Sequence, residues 1–199
     1  MKNFAFALAL TAVFLPTTSS ADTKNFEGFS AGLNLNMLSA GIDYTEAGSR
    51  SFLGGKQAIS AGLDAAYGFN LSDSGVLTVG LEADVTSPEI WNSTDGASSA
   101  KQKNRYGIYI APGALINKDT LVYGKVGYNS MKGELESNGA RTSDRFTGVG
   151  YGFGVKTMIS TTAFLKVEVN RYSFGSEELD GTTSKPGGTS GVLGIGASF

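Results

Sequence analysis

The chain has 199 residues, a formal net charge of −2, 28 glycines, and neither cysteine nor histidine. This length allows one domain or one small barrel, and the missing residue types exclude disulfides and histidine-based catalysis. No apolar run of about 18 residues predicts a transmembrane helix, and no excess of basic residues predicts nucleic-acid binding.

Residues 1–21 have the pattern of a secretory signal peptide. Lys2 supplies the positive start, an apolar stretch runs from Phe4 to Leu15, and small residues lead to Ala21. A buried first helix is a weak alternative because Pro16 and a Ser/Thr run end the apolar stretch. We therefore expect export, cleavage near Ala21, and one domain over residues 22–199.

Residues 59–85 predict two long strands joined by a tight turn. Apolar residues occupy every second position from Ile59 to Leu71 and again from Leu77 to Val85, with small or polar residues between them. The alternation matches the roughly 9–11 residues that a tilted strand needs to cross a bilayer.

The same alternation recurs along the chain, in 29–37, 105–116, 121–131, 146–158, 163–172 and 191–199. Long polar segments at 43–56, 87–102, 132–144 and 175–189 alternate with short turns. Pro112 argues against a central strand but lies near the next turn. The sequence thus predicts an all-β, eight-stranded, antiparallel up-and-down transmembrane β-barrel with short periplasmic turns and four long extracellular loops. A soluble β-sandwich is the alternative, but that fold does not require long and short connections to alternate.

Charged residues on the inward face of these strands predict a network in the lumen, consisting of Asp64, Glu82, Asp84, Lys125, Lys156, Lys166 and Glu168. Charges in a narrow lumen are costly unless paired, so we expect ion pairs centred on Lys125 between Glu82 and Glu168. The network could plug the barrel or line a gated pore. A plug is favoured because an eight-stranded interior is just wide enough for its own side chains.

Outward aromatic residues predict contact with the membrane interface, and they include Tyr67, Phe69, Tyr106, Tyr128, Tyr151 and Phe153. For any single one of these residues, a general apolar contact with lipid is an equally good interpretation. The alternating glycines from Gly148 to Gly154 do not predict a phosphate loop, because no helix follows them.

Several segments resemble the small OmpA/OmpX-like outer-membrane proteins, a porin-like β-barrel domain family. Gly150–Lys156 and Leu165–Tyr172 resemble the family's glycine-rich strand and the strand after it, although Val169 stands where the family often has Tyr. Leu121–Tyr128 resembles the family's fifth strand. The resemblance implies the outer membrane of a Gram-negative cell envelope and a cluster of charges in the lumen. It also implies a C-terminal signal for the barrel-assembly machinery, formed by the terminal Phe199 with Ala197 and Ile195.

Three functions compete: a structural or surface-interaction barrel, a narrow porin-like channel for ions or small solutes, and an enzyme. Known outer-membrane enzyme barrels resemble one another in using a catalytic histidine, which this chain lacks. We therefore expect a non-enzymatic protein without catalytic residues, cofactor or metal. The expected partners are outer-membrane lipids, lipopolysaccharide, the barrel-assembly machinery and an extracellular ligand at the loops. We expect no nucleic acid and a monomer.

Overall fold

The computed structural model describes residues 23–46, 49–93, 98–137, 139–179 and 182–199. A short 3-10 helix spans Thr23–Phe26. The strands in these residues are β1 (Gly28–Glu46), β2 (Ser49–Ser72), β3 (Gly75–Asp84), β4 (Glu89–Asn92), β5 (Ser98–Asn117), β6 (Thr120–Ser137), β7 (Ala140–Met158), β8 (Ala163–Phe174), β9 (Glu177–Leu179) and β10 (Thr182–Ser198). The predicted signal peptide lies outside the described residues and stays a prediction. Among the described residues, no helix is both long and apolar enough to span a membrane.

Eight of the strands close into a ring. The pairing order is β1-β2-β3-β5-β6-β7-β8-β10, and β10 pairs back to β1 in antiparallel register from Ser30↔Ser198 to Glu46↔Thr182. Toward the long-loop end, beyond the ends of β3 and β8, the short strand β4 pairs with β5 and the short strand β9 pairs with β10. Closure removes the sheet edges where every strand pairs on both sides, whereas residues 140–146 of β7, near the long-loop end, pair only with β6. The predicted eight-stranded antiparallel barrel is confirmed.

The outer face of the wall is apolar, whereas part of the inner face carries polar and charged side chains. Leu33, Leu81 and Leu193 on the outer face are 62%, 60% and 52% exposed, whereas Asn36 and Asp64 on the inner face are buried. A water-soluble protein hides its apolar side chains and exposes its charges. This arrangement is the reverse, and it suits a wall that faces hydrocarbon.

The barrel has a short-turn end and a long-loop end. At the short-turn end, residues 73–74, 118–119 and 159–162 connect neighbouring strands, and β1 begins and β10 ends there. At the long-loop end the strands continue through most residues predicted as loops, with pairing as far as Glu46↔Ser49 and Ser137↔Ala140. Backbone pairing there needs no apolar face, so the alternation that marks a transmembrane strand in the sequence is missing.

Pro112 lies inside β5 rather than at its end. It pairs with Leu77 of β3, while the register with β6 runs from Ile110↔Val126 directly to Gly113↔Tyr123. The missing N–H group of Pro112 therefore falls in a gap of the β5–β6 ladder. The wall accommodates proline because no ladder bond is required at this point.

Candidate functional site: the lumen of the barrel

The lumen near the short-turn end is filled by apolar side chains. Phe164, Leu121 and Val76 are 1%, 2% and 0% exposed. We call this group the apolar seal; it comprises Phe26, Ala66, Val76, Ala111, Leu115, Leu121, Met158 and Phe164. These residues are not among the lumenal residues predicted from the sequence. Phe26 comes from the 3-10 helix before β1. The inward position of the other members follows from the same alternation that places their neighbours outward.

Next to the apolar seal lies a charge layer of eight side chains, which comprises Asp64, Glu82, Asp84, Arg105, Lys125, Lys156, Lys166 and Glu168. Four are carboxylates and four are cations, so their formal charges cancel. Burial of a charge in a medium of low dielectric constant is tolerated only when its partners compensate it. The predicted lumenal residues all lie in this layer, together with Arg105, which the sequence analysis missed.

Lys125 on β6 lies between two carboxylates. Its Nζ atom is 2.6 Å from Glu82 Oε2 and 3.1 Å from Glu168 Oε2. The same ammonium lies 4.3 Å from the centroid of the Tyr109 ring. Since Glu82 belongs to β3 and Glu168 to β8, this pair of contacts crosses the lumen.

Arg105 on β5 binds two carboxylates of the charge layer, those of Asp84 and Glu82. Its Nε and Nη2 atoms donate to the two oxygens of Asp84 at 2.9 and 2.8 Å, and Nη1 donates to Glu82 Oε1 at 2.8 Å. Nη1 is also 3.1 Å from Tyr172 Oη. The bidentate geometry fixes the guanidinium plane, as is typical of strong arginine–carboxylate pairs. Glu82 thereby joins Arg105 to Lys125.

A bulge in β5 aims two polar side chains into the lumen. The β5–β6 register shifts between Lys103 and Tyr106, and Asn104 has a φ of 48°. Because of this shift, Gln102 and Arg105 are both buried although they are three positions apart. Simple alternation from Tyr106 would have found Arg105, but it could not have found Gln102 across the bulge.

The two remaining lysines differ in their partners. Lys166 Nζ is 2.7 Å from Asp64 Oδ1 and 3.8 Å from Glu168 Oε1. Lys156 forms no ion pair among the described residues; its Nζ atom is 3.4 Å from Ser30 Oγ and 3.9 Å from the centroid of the Phe164 ring. Lys156 therefore lies at the boundary between the charge layer and the apolar seal.

Neutral donors complete the hydrogen bonds of the carboxylates. Tyr123 Oη donates to Glu168 at 2.7 Å, and the Asn170 amide donates to it at 3.1 Å. Asp84 accepts from the amides of Asn36 at 3.0 Å and Gln102 at 2.9 Å. A network in which each carboxylate is satisfied in this way is rigid. A cavity of only about 30 Å³ lies beside it, which is room for a water molecule rather than a hydrated channel.

Inward glycines make room for this network. A Cβ atom at Gly80 would lie 2.5 Å from the Tyr109 ring, and one at Gly154 would lie 2.7 Å from the Tyr123 ring. Large side chains on one strand therefore fill the space that glycines leave on the next.

The six outward aromatic residues of the sequence prediction are 37–58% exposed. At the short-turn end, the Tyr67 ring lies 4.8 Å from Phe29 and 4.7 Å from Phe69. The terminal Phe199 is 83% exposed, and its backbone N–H donates to the Phe29 carbonyl at 2.8 Å. Ile195 is also exposed on the outer face. Their roles at the membrane interface and in assembly stay predictions.

Three cations lie side by side near the long-loop end. Lys103 pairs with Lys132 across β5 and β6, and Lys132 pairs with Arg145 across β6 and β7. Lys103 Nζ contacts Glu134 at 2.7 Å, and an Arg145 nitrogen lies 3.4 Å from the Tyr106 hydroxyl. We call Lys103, Lys132 and Arg145 the basic row.

A closed antiparallel β-barrel with an apolar outer wall and charged side chains in its interior defines the class of transmembrane β-barrels. The family model "Outer membrane protein beta-barrel domain" matches residues 5–199, so the chain belongs to that family. It is therefore an outer-membrane protein. No curated protein sequence matches the chain at a significant level.

Solved structures with the same fold come from several bacteria. The attachment invasion locus protein Ail of Yersinia pestis is 18% identical with a TM-score of 0.51, covering 87% of this chain and 99% of Ail. Neisserial surface protein A is 12% identical with a TM-score of 0.56, covering 87% and 98%. OprG from Pseudomonas aeruginosa is 15% identical with a TM-score of 0.53, covering 91% and 99%. At these identities the likeness shows the fold alone.

Proposed function

We propose that this barrel is a non-enzymatic protein with a closed lumen, which acts through its outer surface and long-loop end in envelope integrity or surface interaction. The charge layer is the observation that carries the proposal. Its ion pairs connect β3 and β5 to β6 and β8 with cancelling charges. Opening a path would leave buried charges without partners, which is costly. The lack of histidine in the whole sequence supports a role without catalysis.

Single-channel recording in planar bilayers tests the closed lumen. We expect no stable conductance steps from the wild-type protein. A Glu82→Ser/Lys125→Ser double variant removes one carboxylate and one cation that are 2.6 Å apart, and we expect it to conduct. The matched control is Glu134→Ser/Lys103→Ser, which removes the 2.7 Å pair near the long-loop end and should stay silent. Stable, selective wild-type steps that Lys125→Glu abolishes would instead establish a narrow porin-like channel for ions or small solutes.

The basic row supports lipopolysaccharide as a partner. Like charges directly opposite each other on neighbouring strands destabilise a sheet, and a phosphate group would relieve this repulsion. In outer-membrane barrels the longer loops face outward, on the side where lipopolysaccharide lies. The structural neighbour Ail has been crystallised with the heparin analogue sucrose octasulfate, which is a reason to include anions in the test.

Thermal stability of the folded barrel with and without lipopolysaccharide tests this partner. We expect Lys132→Glu to reduce the stabilisation by lipopolysaccharide. The control is Lys118→Glu, the same charge change at the short-turn end on a side chain that is 68% exposed. Equal responses of the two variants would remove the basic row from the proposal. An increase in detergent sensitivity on deletion of the gene would support the envelope role.

The barrel-assembly machinery is proposed as a transient partner that reads Phe199. We expect Phe199→Ala to reduce the amount of folded barrel in cells. Phe69→Ala, which removes another exposed aromatic residue near the short-turn end, is the control. A monomer in analytical ultracentrifugation is the expected oligomeric state.

A further inference from the structure

The lumen between the charge layer and the long-loop end contains a cavity of about 360 Å³. This volume lies within the range of about 300–1,000 Å³ that is typical of small-molecule sites. Residues of β1, β4, β5, β6, β7, β8 and β10 line it. Leu135 on its wall is 48% exposed, so among the described residues the cavity wall reaches the surface near the long-loop end.

The walls of this cavity are mainly apolar, and they include Leu38, Ile90, Ala100, Met131, Phe146 and Phe174. Met131 and Phe174 pack with Tyr172, and Phe146 packs against this group. The Tyr172 and Phe174 rings are stacked, with centroids 6.4 Å apart and an angle of 19° between planes. Apolar walls around an accessible space favour an apolar occupant over water.

The floor of the cavity offers no uncompensated charge. Arg105 is paired with Asp84 and Glu82, and the Gln102 amide donates to Asp84 at 2.9 Å. Glu134 in the wall is paired with Lys103. Arg105 and Glu134 therefore offer a charged ligand no free partner. Lys101 and Asp144, which also line the cavity, carry opposite formal charges and add no net charge to its wall. The charge layer below also bars passage toward the short-turn end.

We propose that this cavity binds a single small, neutral, apolar molecule, aromatic or alkyl, from the long-loop side. The stacked rings of Tyr172 and Phe174 favour an aromatic ligand, since offset and edge contacts between rings add to burial. The molecule is held rather than conducted, because the charge layer, which includes Arg105, closes the lumen on the other side of the cavity. This binding role goes beyond the envelope role and does not depend on it.

Titration of the barrel in nanodiscs with phenylnaphthylamine, a neutral aromatic fluorophore, tests the proposal. Empty nanodiscs measure partition into lipid. We expect saturable fluorescence with one site per chain above that background. Ala100→Phe fills the cavity and should weaken binding about tenfold or more, which is about 1.4 kcal/mol. Ala65→Phe places the same ring on the exposed outer wall and should leave binding unchanged.

Leu135→Asp provides a second variant in case Ala100→Phe does not fold. Leu135 lines the cavity but is half exposed, so a carboxylate there leaves folding intact while it makes the wall polar. We expect weaker fluorophore binding. The proposal is overturned if the signal equals that of empty nanodiscs, or if folded cavity variants bind as the wild type does. Folding is checked by the mobility of unheated samples in gel electrophoresis.

Discussion

The parts of the lumen near the short-turn end and near the long-loop end differ in how tightly side chains fill them. Near the short-turn end, Phe164 and Leu121 are almost fully buried and leave a cavity of only about 30 Å³. Near the long-loop end, Met131 and Phe174 surround a cavity of about 360 Å³. The charge layer separates the two parts. The difference supports the proposal that the lumen is sealed at one level and binds a small molecule at another.

The largest expected effect comes from breaking the layer between the two parts. Arg105→Met leaves Asp84 and Glu82 buried without the guanidinium, so we expect a loss of about 3–5 kcal/mol in the free energy of unfolding. Urea unfolding in phospholipid vesicles measures it. A loss within experimental error would mean that the layer is not a stabilising unit.

The second prediction compares aromatic side chains above and below the layer. Phe164→Ala removes a ring that is 1% exposed and packed within the apolar seal, and we expect a loss of about 3–5 kcal/mol. Phe174→Ala should reduce the free energy of unfolding by less, because one side of its ring already borders an open cavity. Unfolding of both variants under the same conditions gives the comparison. Equal losses would show that the cavity walls are as tightly packed as the seal.

The third prediction tests the space left by inward glycines. A Cβ atom at Gly154 would lie 2.7 Å from the Tyr123 ring and 2.9 Å from Glu168 Cγ, so Gly154→Ala must displace the hydrogen bond between them. We expect a loss of about 1–3 kcal/mol from overpacking. The control is Gly124→Ala on the outer face, where a Cβ atom meets nothing within 4 Å. If both variants unfold alike, close packing of the layer is not the cause.

The smallest effect is expected for an ion pair outside the charge layer. Lys103 and Glu134 are 2.7 Å apart, as close as the lumenal pairs, but their side chains are 32% and 14% exposed. Lys103→Met should therefore change the free energy of unfolding by only about 0–1 kcal/mol, and less at high salt. Unfolding at two salt concentrations measures this. A loss as large as that of Arg105→Met would show that burial does not distinguish the two pairs.

Period-two alternation in the sequence determined the barrel and its outer wall. Leu63, Leu81 and Leu193 alternate with small or polar residues, and a one-residue shift would turn every such side chain to the other face. The inward position of Glu82, Lys125 and Glu168 follows from the same rule. The rule is local, so a single sequence is enough to apply it.

Only the tertiary structure decided which residues meet across the lumen. The bulge at Asn104 brings Gln102 and Arg105 to the same carboxylate, and no pattern in the sequence marks that bulge. The long polar segments conceal further strand pairing because neither face there must be apolar. The cavity beside Met131 and Phe174 depends on strands far apart in sequence closing around it. Alternation specifies the face of each side chain, whereas ring closure and register specify its neighbours.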